Sequence, residues 1–136
     1  MILDTGPLVS ALVPGSAHHA WVARRWKTIA PPFLTCESVL SEAVFLLCRE
    51  GVKSDVIFTL LERGVVRLGL QVRDELPEVR ALMHKYRDRP MSLADACLVR
   101  LSELHPSAEV LTFDGDFLIY RRHGNGVIPV VMPPAM

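Results

Sequence analysis

Five acidic residues stand where acids are costly. Asp4 in MILDTGPL, Glu42 in VLSEAVFLL, Asp95 in SLADACLV, and Asp114 with Asp116 in VLTFDGDF each lie inside an apolar run. An ionised carboxylate is almost never fully buried unless paired, because leaving water without a partner is strongly unfavourable. Carboxylates gathered in one pocket repel one another, so they either raise their own pKa values or hold a divalent cation. The second outcome is a metal-dependent active site.

Each acid also has a purely structural reading. Asp4 can be a strand-end residue before the Thr5-Gly6-Pro7 turn. Asp95 stands three residues after Ser92, a capping-box spacing. Asp114-Gly115 fits a type I′ turn, and Asp116 fits the N-cap of a following helix. Glu42 is hardest to explain this way, since a mid-helix acid among Val39, Phe45 and Leu46 caps nothing, and only Arg49 is near in sequence as a partner. Glu62, Glu75, Glu78, Glu103 and Glu109 have polar neighbours and read as solvated surface. The first set is distinguished by coincidence: every member is compatible with one end of one sheet.

The elements that must position these acids alternate. Short β-compatible runs occur at Met1 to Asp4, Phe33 to Thr35, Val65 to Leu70, Val110 to Phe113 and Val127 to Val131. Between them, helical periodicity runs over Pro7 to Val13, Ala17 to Ile29, Ser38 to Glu50, Ser54 to Arg63, Asp74 to Arg87 and Ser92 to Leu104, with a short helix from Asp116. Pro7 suits a first helical turn and Ser92 an N-cap. This alternation predicts an α/β fold, a parallel sheet covered by helices. Asp4 and Asp114 then both fall at carboxyl ends of strands, where open α/β sheets bind ligands. The helix Ser38 to Glu50 is apolar almost all round and is expected to be buried, Glu42 with it. Trp21, Val22, Trp26 and Ile29 form a stripe at helical spacing, fit for a core or for a second subunit.

Composition excludes several classes. The 136 residues are 50% hydrophobic and show no linker, repeat or low-complexity tract, so a single domain over residues 1–136 is expected. The 15 basic and 15 acidic residues cancel, so any polyanion must be met by a local basic patch. Candidates are Arg24, Arg25 and Lys27; Lys85, Arg87 and Arg89; and Arg121 with Arg122 after the last acidic block, the pair favoured here, while His18, His19 and His123 are weaker candidates for phosphate or metal. Cys36, Cys48 and Cys97 are odd in number and far apart, which reads as buried thiols. No signal peptide or membrane span is visible, and a cytoplasmic location is expected. Phe113-Asp114-Gly115-Asp116 echoes the nucleophile turn of haloacid-dehalogenase-like phosphatases, but that motif belongs after a first strand. A receiver-domain reading lacks its phospho-accepting aspartate after the third strand and its lysine after the fifth. Ser-His-Asp hydrolase and P-loop signatures are also missing.

Taken together, LDTGPLVSAL with HHAW following, SVLSEAVFLL, RPMSLADACLVRLSEL and VLTFDGDFLIYRR resemble a PIN domain, in particular the VapC-type ribonuclease toxins. The resemblance covers nearly the whole chain, with the acidic blocks in order. It implies a three-layer α/β/α fold with a central parallel sheet of order 3-2-1-4-5, and magnesium- or manganese-dependent cleavage of RNA. It assigns Asp4, Glu42, Asp95 and Asp114 to the acidic quartet and Asp116 to an additional acid beside it. Thr5 matches the small hydroxyl residue after the first acid and is a candidate, with Arg121 and Arg122, for substrate binding. A homodimer and a cognate antitoxin that blocks the pocket are also implied. The competing reading is a PIN-like RNA-binding or RNA-processing module that acts through a partner and is not a toxin. The intact acids argue against it.

Overall fold

A computed structural model describes residues 1–135. In chain order the strands are β1 (Ile2–Leu3), β2 (Phe33–Thr35), β3 (Val66–Leu68), β4 (Val110–Leu111), β5 (Arg121–Arg122), β6 (Gly126–Val127) and β7 (Val130–Val131). The helices are α1 (Thr5–Leu12), α2 (His19–Thr28), α3 (Glu37–Arg49), α4 (Asp55–Glu62), α5 (Leu76–Lys85) and α6 (Leu93–Leu104). Short 3-10 turns cover Val72–Glu75 and Gly115–Leu118.

Five strands form one parallel sheet in the order β3-β2-β1-β4-β7, with helices on both sides. This is the expected three-layer arrangement and strand order, except that the fifth sheet strand is the seventh in the chain. The run expected as one strand from Val127 to Val131 is divided. Gly126–Val127 pairs antiparallel with Arg121–Arg122, and Val130–Val131 joins the sheet beside β4. Pro129 explains the break: it has no N–H to donate to a ladder, yet its carbonyl accepts from Val110 at 2.8 Å. Similarly, the helix expected over Asp74 to Arg87 opens as a 3-10 turn and becomes α-helical at Leu76, with Pro77 in its first turn.

The sheet interior is apolar on both faces, as a parallel sheet between helices requires, with Ile2, Leu3, Val110 and Leu111 fully buried. Helix α6 is the buried one. Ala94, Ala96, Cys97, Leu98, Val99, Leu101 and Ser102 are all inside, and the small residues among them allow close approach to the sheet. In contrast, α3 is amphipathic rather than buried. Val39, Ala43 and Leu47 face the core, while Ser41, Glu42, Phe45 and Cys48 are exposed, Phe45 at 61%. The Arg49 guanidinium covers the Phe45 ring at 5.8 Å, which makes an aromatic tolerable at the surface. Cys48 is therefore an exposed thiol, whereas Cys36 and Cys97 are buried as expected. The tryptophan stripe packs inward: Val22 is buried, Trp26 stacks on Phe33 at 4.0 Å, and Trp21 reaches Phe113. Among the described residues no helix is long and apolar enough to cross a membrane.

Candidate active site

The chain leaves β1 toward β2 on one side, and β4 lies on the other. The carboxyl ends of β1 and β4 therefore flank the point where the strand order reverses, the crevice open α/β sheets use for ligands. Leu3 is in register with Leu111, so the next residues, Asp4 and Thr112, emerge side by side. Thr112 donates its hydroxyl to Asp4 Oδ2 at 2.6 Å and accepts from the Asp114 amide at 2.9 Å. One buried hydroxyl thus ties the two strand-end acids together.

Asp4 is also the N-cap of α1, its Oδ1 accepting from the Thr5 amide at 2.8 Å. Asp95 comes from the first turn of α6, where Ser92 Oγ caps the helix by accepting from the Asp95 amide at 3.0 Å. The Asp95 carboxylate accepts at 2.9 Å from the hydroxyl of Tyr120, a side chain with no exposed surface. Asp114 caps the Gly115–Leu118 turn, accepting from the Asp116 amide at 2.9 Å. It is thus Asp114, not Asp116, that plays the cap, and neither Asp114 nor Gly115 has the positive φ that a type I′ turn needs. Glu42 is surface-exposed and takes a hydrogen bond from the Thr5 hydroxyl at 3.3 Å.

The expected quartet converges. Asp4, Glu42, Asp95 and Asp114, with Thr5, Gly6, Pro90, Ser92 and Phe113, line one open pocket of about 450 Å³. Asp116 stands outside that lining and pairs with Arg89 at 3.7 Å, at the pocket edge beside Pro90. Arg121 and Arg122 are turned to other work. Arg121 donates to the carbonyls of Leu118, Ile119 and Tyr120 and borders a separate cleft, and Arg122 donates to the carbonyls of Ser102, in the last turn of α6, and Pro106, just past it. Glu75 and Glu103, read as solvated surface, instead clasp Arg100 at 2.8 and 3.1 Å and are largely covered.

The electrostatics follow from crowding in a poorly solvated place. Asp4 is pushed up to about 6, chiefly by burial, with the charges of Asp95 and Asp114 adding to it and the bonds from Thr112 and Thr5 opposing it. Asp95 is raised as well, again chiefly by burial, while the Tyr120 hydroxyl pulls it back. Burial next to these acids drives the Tyr120 phenol upward, so it remains a hydrogen-bond donor. Mutually raised carboxyls are those that a cation relieves. The pocket donors are carboxylate and hydroxyl oxygens without imidazole or thiolate, the donor set of a hard cation such as magnesium or manganese. Among the described residues no three His, Cys, Asp or Glu side chains already stand close enough together to hold a metal ion.

Sequence reasoning missed Thr112, Tyr120 and Ser92 as parts of the site. Ser92 was visible only as a cap. Thr112 has a legible signal, a hydroxyl two residues before a strand-end acid. Tyr120 has none, because its reach to Asp95 depends on the turn that follows Asp114.

Residues 1–122 match the PIN domain family. The chain is 26% identical over 132 residues to the ribonuclease VapC26 of Mycobacterium tuberculosis, covering 96% of this chain and 93% of that protein. The crystal structure of Mycobacterium tuberculosis VapC20, a Sarcin-Ricin loop cleaving toxin, superposes with a TM-score of 0.72 at 25% identity, covering 85% of this chain and 90% of that one. With the family match spanning most of the sequence and the same fold in a VapC toxin, the chain is a member of the PIN domain family.

Proposed function

We propose that this protein is a magnesium- or manganese-dependent ribonuclease and the toxin of a toxin–antitoxin pair. The observation that carries the proposal is the convergence of Asp4, Glu42, Asp95 and Asp114 on one pocket at the switch point of the sheet. The ribonuclease and toxin names of VapC26 and VapC20 support it. Asp4, Asp95 and Asp114 are assigned as direct ligands, with Glu42 and Asp116 acting directly or through water. When bound, a divalent cation neutralises charge developing on a phosphate and lowers the pKa of water.

The chain's own groups do the rest. Thr112 and Tyr120 hold Asp4 and Asp95 at fixed rotamers, so little reorganisation is left for the moment of reaction. Thr5 fixes Asp4 through its amide and Glu42 through its hydroxyl. Among the basic side chains, Arg89 is assigned to a substrate phosphate, because it stands at the pocket edge while Arg121 and Arg122 are bound to carbonyls. An antitoxin that inserts a basic side chain among the acids would block the pocket, and a homodimer is the assembly the VapC likeness favours. RNA is then substrate, the antitoxin inhibitor.

The test is cleavage of a total RNA pool with magnesium or manganese by the unaltered protein, Asp4→Asn and Asp95→Asn. Cutting by the unaltered protein and background levels in both variants is expected. Equal cutting by all three would remove the acidic pocket from the chemistry. No cutting with either cation would favour the RNA-binding module that works through a partner.

A further inference from the structure

Next to the acidic pocket lies a second, apolar cleft of about 720 Å³, walled by His18, Phe113, Leu118, Val130, Met132 and Pro133. Phe113 belongs to both, lining the acidic pocket on one side and the cleft on the other. Its position is set by Gly6: a Cβ there would come within 2.9 Å of Phe113 Cδ2, so the ring lies against the first turn of α1. His18 faces it with ring centroids 5.0 Å apart, and Trp21 stands 6.5 Å away on the same ring. Arg25 covers Trp21 at 5.3 Å.

His18 is held in a left-handed backbone conformation, φ 66°, an arrangement non-glycine residues seldom adopt. The turn that carries it is pinned to α1. Ser16 donates to the Val13 carbonyl at 2.6 Å, Ser10 donates to the Ala17 carbonyl at 2.9 Å, and the His19 Nδ1–H donates to the Ser10 carbonyl at 2.6 Å. The result is an exposed imidazole fixed beside an aromatic ring, one step along the chain from Asp114. No residue walling the cleft is acidic.

Such a surface suits a flat group with apolar faces and polar edges, attached to something that must sit at the acids. An unpaired nucleobase has that form, and sequence-tolerant recognition of single strands rests on bases stacked against aromatic side chains. A protein segment would also find apolar walls, but the sharing of Phe113 with the acidic pocket joins this cleft to the place where a phosphate is held. We propose that the cleft between His18, Phe113 and Met132 is a nucleobase subsite that takes one unpaired base of the RNA strand, from the nucleotide next to the phosphate at the acids. This rests on the ribonuclease reading.

The experiment measures equilibrium binding of a short, fluorescently labelled single-stranded RNA to Asp4→Asn, Asp4→Asn/Phe113→Leu and Asp4→Asn/His18→Ala. The strand is used intact and with one abasic nucleotide moved along it. One abasic position is expected to weaken binding to Asp4→Asn at least about fivefold, the lower range for a lost aromatic stack. That penalty should disappear in the Phe113→Leu background and shrink in the His18→Ala background, where the replaced side chain is exposed. Absence of binding, a penalty of no more than about twofold at every position, or an equal penalty in all three proteins overturns the subsite. So does a flat abasic series accompanied by conversion of a dimer to a monomer in light scattering of the Phe113→Leu protein, which makes the cleft a subunit contact. Failure of the unaltered protein to cut RNA, by contrast, removes the ribonuclease reading and leaves the binding series to judge the cleft.

Discussion

Asp4 accepts two hydrogen bonds and is still pushed up to about 6, so burial and the neighbouring acids outweigh both donors. The sign of the consequence is fixed by linkage. With a folded pKa of about 6 against an ordinary 3.8, the folded chain binds more protons than the unfolded chain between those values. Stability from this group therefore falls as pH rises from about 4 to about 6 and is flat above. The full difference is about 3 kcal/mol, two pKa units at 1.36 kcal/mol each. Urea unfolding in EDTA at about pH 4 and about pH 7, compared between the unaltered protein and Asp4→Asn, should show the variant gaining relative stability at the higher pH. Parallel pH curves would mean that Asp4 is unperturbed. At this scale the sequence was legible in residue type and spacing but not in solvation. Asp4 and Asp95 lie in apolar surroundings as their neighbours suggest. Glu42 has similar neighbours, but Phe45 and Cys48 turn outward with it. Apolar residues on a helix do not show by themselves which of them face the core.

Helix α6 shows how one element carries two duties for one acid. Ser92 caps it, and the same first turn delivers Asp95 to the pocket, so the cap does not keep Asp95 from the other acids. The two duties separate under mutation. Ser92→Ala should cost about 1 kcal/mol of stability through the lost cap, about 3 °C in Tm for a domain of this size. Tyr120→Phe keeps the edge contacts with Phe117 and Tyr86 but removes the donor to Asp95. Since that donor pulls the Asp95 carboxyl down, the variant should shift the acid limb of the cleavage pH profile upward, with activity restored at higher pH. An unchanged profile would show that Tyr120 only fills space. The elements themselves were mostly legible, because strand and helix periods differ and the breaks carry Gly, Pro or a cap. The division of the last strand was less so, as the meaning of Pro129 depends on β4 accepting a partner on that side.

For the whole molecule, zero net charge limits how RNA can be held. Its strand order could be anticipated from the β/α alternation and the PIN resemblance, whereas the distribution of cations could not. Arg100 is absorbed by Glu75 from a distant segment and by Glu103 one turn along its own helix, Arg122 by carbonyls near the end of α6, and Arg121 by carbonyls of its own turn. Arg89 at the pocket edge and Arg25 above Trp21 are the cations best placed beside the acids and the aromatic cleft. Two phosphate contacts on a single strand give a slope of log affinity against log salt of about −1.4, at about −0.7 per contact. Binding of a short single-stranded RNA by Asp4→Asn at fixed magnesium and increasing KCl should therefore be shallow, and Arg89→Gln should flatten it by about half. A slope steeper than about −4 would contradict this, because one copy does not present that many cations near the pocket, and would indicate a basic groove assembled from two copies. A shallow slope would leave affinity to the proposed cation at the acids and to the proposed base stacking, neither of which requires a basic groove.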